Sequence, residues 1–403
     1  MSASRIRGGK MKKANVILLT VLFLTAINAG YAGTVAAPYQ VGTWSGFKTA
    51  VITWTFDDGC ANQFSTALPM FNSFGFKMTF YPVPAWTPPW SSLQTAASQG
   101  HEVGSHTVDH FLSGLSDPCQ IWELSQSQAI VNSHIPGNQC VTIAYPNCNI
   151  GNQSLIDDYY IAGRTCDYGL MPATPSNFYT IGCHLLGPCC GNNTLASITS
   201  KIDAAGTSGG WCVFLIHDLD NGSGFSPLSS TILLQSLQYL DARRSTYWVS
   251  TFSNVVRYIK ERNDVSVAET SNTDDSITLQ VTDTLNNAIY KYPITIRRPL
   301  PEGWGSANVS QNAQAVPSSI VKVNSTAYVM FDVVPDGGEV VLSRGIYGDF
   351  TDNGVVDLND LSGFLKFWLV NDCDGIAGLD VDEDCVVNFN EFAVLAENWQ
   401  QAP

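Results

Sequence analysis

Two stretches of this chain concentrate side chains able to hold a metal ion and move protons. Thr55-Phe56-Asp57-Asp58-Gly59 closes an apolar run, and about 45 residues later comes Gly100-His101-Glu102-Val103-Gly104-Ser105-His106-Thr107-Val108-Asp109-His110. His106 and His110 are four apart, a spacing that on a helix puts both imidazoles on one face. Two imidazoles and one carboxylate make a three-ligand metal site with positions open for water and substrate. Asp58, His106 and His110 are the expected ligands. A pair of surface or core histidines is the plainer reading of the spacing alone, but the chain has only 6 histidines and this cluster follows an Asp-Asp strand end. The nitrogen and oxygen donors suit Zn, although other divalent ions fit such a set.

The elements that must position these residues are short and alternate in type. Strand-like runs rich in Val, Ile and Phe fall at 50–55, 77–81, 141–145, 211–216 and 247–251, with helical stretches between them. Strand and helix in alternation imply an α/β fold with parallel strands, here a distorted (β/α) barrel over residues 45–262, with its reactive side chains at the C-terminal ends of the strands. Residues 263–275 are polar and read as a connection. Beyond them the apolar period changes to two, as in Ser276-Ile-Thr-Leu-Gln-Val281, which predicts a small antiparallel β-sandwich over 275–346 with no chemistry of its own.

Together the Asp-Asp and His-x-x-x-His motifs resemble the polysaccharide deacetylase family with nodulation-protein-B homology, carbohydrate esterase family four, over about residues 48–262. Val213-Phe-Leu-Ile-His217 looks like the family's closing strand, and Thr251-Phe-Ser-Asn-Val-Val256 like its final helix. The resemblance implies a hydrolase that removes acetyl groups from an acetylated polysaccharide or oligosaccharide. In it Asp57 is the general base, His217 the general acid, and the backbone N–H of Asn147, after Tyr145-Pro146, an oxyanion donor. The family's third motif often begins with an Arg that braces the base, whereas this chain has Ala144-Tyr145-Pro146-Asn147. Arg164 is the expected replacement, with Asp167 as a partner for His217. Aromatics at Tyr81, Trp86, Trp90, Tyr145, Tyr168 and Trp211 could stack on sugar rings, and Tyr145 and Trp211 are the expected groove residues. N-deacetylation of a chitin-type polymer and O-deacetylation of acetylxylan use the same machinery. A noncatalytic carbohydrate-binding or adhesion protein would be expected to lack a ligand or the base, and none is missing.

The tail repeats itself. Asp349-x-Thr351-x-Asn353-Gly354-Val-Val-Asp357-x-x-Asp360 recurs 31 residues later from Asp380 to Glu391, and Trp368 and Trp399 keep the same offset. A calcium loop wants oxygen ligands at positions one, three, five, nine and twelve, a carbonyl at seven and Gly at six. The first repeat offers Asp349, Thr351, Asn353, the Val355 carbonyl, Asp357 and Asp360. The second offers Asp380, Asp382, Asp384, the Val386 carbonyl, Asn388 and Glu391, but has Cys385 at position six. Each loop runs into an apolar helix, so residues 347–400 resemble an all-α, calcium-binding dockerin-like module. That resemblance implies a cohesin-like or cell-surface scaffold partner.

Composition bounds the setting. Arg5, Arg7, Lys10, Lys12 and Lys13 precede an apolar run from Val16 to Ile27, too short for the ~20 residues of a membrane span, and Gly30-Tyr31-Ala32 offers a cleavage site. A signal peptide at 1–32 and a secreted or cell-surface protein are expected, with no membrane span after cleavage. Cleavage removes five positive charges and takes the formal charge from −15 to −20, which argues against a nucleic-acid partner. Eleven cysteines in such a chain read as disulfides, with Cys373–Cys385 expected in the tail and Cys60–Cys148 beside the catalytic motifs.

Overall fold

The computed structural model describes residues 33–400 apart from 168, 347, 350, 352–354, 371–378 and 380–385. The expected signal peptide at 1–32, Tyr168, the expected Cys373–Cys385 bond and the expected calcium ligands Asn353, Asp380, Asp382 and Asp384 lie outside the described residues. No helix among the described residues is long and apolar enough to cross a membrane.

Strand β1 (Gln40–Val41) is followed by β2 (Ala50–Asp58), β3 (Thr79–Pro82), β4 (Glu102–Val103), β5 (Thr142–Ala144), β6 (Ala162–Arg164), β7 (His184–Leu185), β8 (Trp211–Ile216) and β9 (Tyr247–Val249). Helices α1 (Leu68–Ser73), α2 (Trp90–Ser98), α3 (Asp117–His134), α4 (Gln153–Ile156), α5 (Leu195–Ser208), α6 (Ser230–Asp241) and α7 (Phe252–Asp264) lie between or after them. Strands β2 to β9 pair in parallel, in the order β4-β3-β2-β8-β7, with β9 against the start of β2 and β5 against β6. Single-residue bridges, Ser105↔Ile143 and Arg164↔Ile181, connect the β5–β6 pair to the segments after β4 and before β7.

Strands β2 and β8 are nearly continuous apolar runs because both of their faces are covered. Ile52, Trp54, Phe56, Phe214 and Ile216 pack outward with helix residues such as Ile198 and Leu233. Val51, Val213 and Leu215 point the other way, into a second cluster with Val141, Ile181 and Phe252. Side chains on a strand alternate between faces, so Asp57 shares the face of Val51 and emerges at the C-terminal end of the strands.

Strands β10 (Ser266–Asn272), β11 (Ser276–Thr282), β12 (Ile294–Pro299), β13 (Ser306–Gln311), β14 (Gln314–Val316), β15 (Ser318–Val323), β16 (Thr326–Val333) and β17 (Val340–Gly345) form two antiparallel sheets. Their orders are β1-β12-β16-β15 and β10-β11-β17-β13-β14. Alternate residues Ile277, Leu279, Val281, Ile294, Ile296, Val329, Phe331, Val340 and Leu342 meet in one apolar cluster. Residues 263–275 are not simply a connection: they supply β10, whose polar composition suits the edge strand it forms. Helix α7 serves both regions, with Val255, Val256 and Ile259 in the α/β core and Tyr258 in the sheet-to-sheet cluster.

In the tail, α8 (Leu358–Phe364) and α9 (Phe389–Glu397) are capped alike, by Asp357 with Asp360 and by Asn388 with Glu391. Equivalent repeat residues, Val356 with Val387 and Phe364 with Leu395, share a small core. Leu369 N–H donates to the Val387 carbonyl and Gln400 N–H to the Val356 carbonyl, so the two repeats clasp each other through matching positions. The capping boxes start the two helices directly at positions nine to twelve of each repeat's acidic segment.

Candidate metal and acid-base site

Asp57 and Asp58 end β2, and the chain turns sharply there: Asp58 and Gly59 both have φ of 73°. Aspartate is among the few residues that tolerate this left-handed region. His106 and His110 lie on the loop after β4, not on a helix as the spacing predicts. Thr107 (φ 61°) and His110 (φ 63°) are left-handed, and Glu123 of α3 holds the loop by accepting from Val108 N–H at 2.7 Å and Asp109 N–H at 3.1 Å. This loop brings the two imidazoles together with ring centroids 4.8 Å apart.

One ligand atom each from Asp58, His106 and His110 lies within 4.8 Å of the others. Nε2 of His106 is 3.6 Å and Nε2 of His110 is 3.9 Å from Asp58 Oδ1. Ligands about 2.0–2.2 Å from a tetrahedral ion stand roughly 3.3–3.6 Å apart; His106 and Asp58 already have that spacing, while His110 stands wider and would draw in on a bound ion. Asp58 Oδ1 is buried and has no hydrogen-bond donor. Burial, with Asp57 beside it, pushes the Asp58 carboxyl up to about 7, and burial holds His106 down at about 4. A hard-to-ionise carboxylate between unprotonated imidazoles is a donor set that a cation would satisfy. His106 Nδ1 donates to the Ala144 carbonyl at 2.8 Å, which leaves Nε2 with its lone pair towards Asp58.

Asp57 is buried beside this cluster. Arg164, fully buried at the end of β6, donates from Nη2 to Asp57 Oδ2 at 2.5 Å. Burial alone would raise Asp57, but Arg164, His106 and His217 outweigh it and hold the carboxyl below its ordinary value. His217 follows β8, and burial lowers its imidazole. Gln63, which the sequence did not single out, donates from Nε2 to the carbonyls of Asp57 at 2.5 Å and His217 at 2.6 Å, tying the two strand ends together. Neither Gln63 nor Glu123 carries a sequence signal, because their roles are set by pairing across the fold.

Other expectations change. Asp167 is exposed, its backbone bonds Thr165 and Cys183, and His217 Nδ1 makes no hydrogen bond, so Asp167 does not orient His217 here. Tyr145 and Trp211 do not line a groove: both are buried, Tyr145 donating to the Tyr179 carbonyl and Trp211 Nε1 to Thr53 Oγ1. The exposed aromatics at the site are Trp86, whose ring packs on His110 at 4.9 Å, and Phe225, against His217 at 5.3 Å. Asn147 is exposed with left-handed backbone in the loop after β5. Cys148 of that loop bonds Cys166 in the loop after β6, while Cys60 is a free thiol, so the expected Cys60–Cys148 bond is not formed.

In the expected calcium loops, Asp360 Oδ1 accepts from Thr351 N–H and Oγ1 at 2.8 Å each, and Asp360 and Glu391 are buried. Asp349, Val355, Asp357, Val386 and Asn388 are the other expected ligands among the described residues.

The parallel strands of this α/β fold deliver to one end a two-His, one-Asp cluster that could hold a metal ion, beside a buried Asp–Arg pair. Residues 46–159 match the family model described as polysaccharide deacetylase, which supports a polysaccharide deacetylase domain in this chain. Members of that family are deacetylase and esterase hydrolases, typically dependent on a divalent metal. A gellan lyase from Bacillus sp is 28% identical over 324 residues, covering 75% of this chain and 13% of the relative, so the chain spans a small part of that protein's length. Among solved structures, the peptidoglycan deacetylase PdaC from Bacillus subtilis aligns with a TM-score of 0.38 at 17% identity, over 53% of this chain and 92% of that one. A family 4 acetyl xylan esterase from Clostridium thermocellum, in complex with cobalt, aligns with a TM-score of 0.36 at 16% identity, over 51% and 89%.

Proposed function

We propose that this chain is a secreted, metal-dependent deacetylase that hydrolyses acetyl groups from a carbohydrate polymer, chitin-type N-deacetylation being the preferred reaction. The observation that carries this reading is the convergence of Asp58, His106 and His110 within 4.8 Å, beside an Asp57 held by Arg164. A divalent ion held by those three residues, Zn by its donor set, would supply Lewis-acid activation of the acetyl carbonyl and of water. Asp57, kept ionised by Arg164, takes a proton from the attacking water as its oxygen adds to the acetyl carbon. His217 gives a proton to the departing nitrogen or oxygen, and acetate leaves. The Asn147 N–H is the expected donor to the carbonyl oxygen as it gains charge.

The same reading takes the parallel strands as a distorted (β/α) barrel, supported by the bridges that link β5 and β6 to their neighbours, and the two antiparallel sheets as a β-sandwich. It takes residues 1–32 as a signal peptide. Residues 347–400 are read as a dockerin-like module that binds calcium and docks on a cohesin-like partner, supported by the matched capping and clasp of its two repeats.

Acetate release by the purified protein, with Zn added and with a chelator-treated control, tests the reaction on chitooligosaccharides and acetylated xylan side by side. Zn-dependent release from chitooligosaccharides is expected. Release only from xylan would make the enzyme an esterase, and release from neither would favour a noncatalytic carbohydrate-binding or adhesion protein.

A further inference from the structure

Cys189 and Cys190 are neighbours in the loop after β7. That loop is closed by Gly187 N–H to the Asn192 carbonyl at 3.0 Å and by Asn192 Nδ2 to the Leu185 carbonyl at 3.0 Å. Their Sγ atoms are 2.9 Å apart. Carbon atoms rest in contact at roughly 3.5–4.0 Å, and sulfur is the larger atom, so the two thiols stand inside ordinary contact. Cys189 is exposed and Cys190 half-buried, whereas Cys140, Cys183 and Cys212 are buried. The pair is therefore within reach of a small thiol or disulfide. Its loop also touches the one that follows β8: Cys189 N–H donates to Ser226 Oγ at 2.9 Å, next to the Phe225 that packs on His217.

We infer that Cys189 and Cys190 are a redox pair that closes into a vicinal disulfide on meeting a small-molecule disulfide, and reopens with the corresponding thiol. The Cys189 thiolate attacks one sulfur of R–S–S–R, forming a mixed disulfide and expelling one RS⁻. The Cys190 thiolate then attacks the Cys189 sulfur and expels the second RS⁻. The two electrons pass to the small disulfide, which leaves as two thiols carrying the two protons released by the protein. Adjacent Cα atoms are about 3.8 Å apart across a trans peptide, short of the roughly 4.4–6.8 Å that disulfides usually span, so the closed ring is strained and readily reduced. Cys148 and Cys166, with Cα atoms 5.1 Å apart, carry no such mismatch.

The test is to treat the folded full chain with oxidised glutathione, alkylate the remaining thiols, digest, and weigh the peptide that holds both cysteines. The expected peptide is unalkylated and lighter than its dithiol form by two hydrogens. A mild reduced-glutathione step should return it to the doubly alkylated form while Cys148 and Cys166 stay linked. In Cys190→Ser a lasting glutathione adduct on Cys189 is expected, since no neighbour can displace it. The inference is overturned by double alkylation after oxidation, by a lasting adduct on the native pair, by bonds to other cysteines, or by a pair that outlasts Cys148–Cys166 under reductant.

Discussion

Arg164 and Asp57 come from strands β6 and β2 and meet in a buried ion pair, Nη2 to Oδ2 at 2.5 Å. Burial penalises both charges, and their contact is the largest of the interactions that make the ionised carboxylate tolerable. Removing either partner therefore does more than delete a hydrogen bond. Arg164→Ala should cost about 3–5 kcal/mol of stability by leaving Asp57 uncompensated. The milder Arg164→Lys keeps the charge but loses the planar donor, so the Asp57 pKa should rise. Since the proposed mechanism needs this base ionised, the acidic limb of the rate profile should then move to higher pH, which a pH series of acetate release measures.

Asp57→Asn separates the proposed base from the proposed ligands. Turnover should fall by about 10²–10⁴-fold, the usual contribution of a positioned acid or base, while bound metal stays near one ion per site. His106→Ala should lose both. Metal content by elemental analysis alongside activity checks the pair, and loss of metal in Asp57→Asn would remove Asp57 from the base role.

Glu123 does not reach the ligand cluster, yet it fixes the loop that carries both histidines by accepting from Val108 and Asp109. Glu123→Ala should weaken metal binding by ~10–100-fold, as loss of outer supports does at metal sites. A competition titration with a chromophoric chelator reads this directly, and unchanged affinity would show that the left-handed turns at Thr107 and His110 hold the loop unaided.

The disulfide between Cys148 and Cys166 closes an 18-residue separation and joins the loops after β5 and β6. Cys166→Ser should lower the stability of the α/β region by about 3 kcal/mol, the loop-closure value for such a length. Denaturant unfolding with and without reductant gives the comparison: native protein under reductant should fall to the variant's midpoint.

Glu261 of α7 is buried between the two regions and accepts from Tyr292 N–H. Burial raises its carboxyl from the ordinary 4.5 to about 8. A raised folded-state pKa means that the native protein binds this proton more tightly than the unfolded chain. Its contribution is full below about 4.5 and is lost as pH climbs through about 8. Melting temperature should therefore decline over that window, and Glu261→Gln, neutral throughout, should flatten the decline.

The sequence disclosed the parts of this site that depend on residue type near strand ends, and missed the parts that depend on what lies across the fold. Strand β8 was legible to the residue, since a run covered on both faces is apolar throughout. The spacing of His106 and His110 correctly suggested nearness but implied the wrong backbone, because left-handed turns are invisible in a four-residue interval. Arg164 was read as a replacement for an absent Arg, and it stands in contact with Asp57. Asp167, three residues further on, was read as aiming at His217, and its exposed loop takes it elsewhere. Gln63 and Glu123 act through backbone groups and leave no pattern to find.

Aromatics make the same point and lead to a test. Tyr145 and Trp211 looked like groove residues by type, but Trp211 starts β8, at the end remote from His217, and both pack inside. Trp86 is 51% exposed and Phe225 is 55% exposed, and each covers one histidine of the site. A sugar ring laid beside them would gain about 0.5–1.5 kcal/mol per stacking contact, felt in binding and not in the chemical step. Phe225→Ala should then lower kcat/KM on an acetylated oligosaccharide by roughly 2–12-fold, mostly through KM. A small acetylated substrate that cannot span the site should be hydrolysed as before. Equal losses on long and short substrates would instead mean that Phe225 serves by holding the His217 ring, and would place the sugar chain elsewhere on this face.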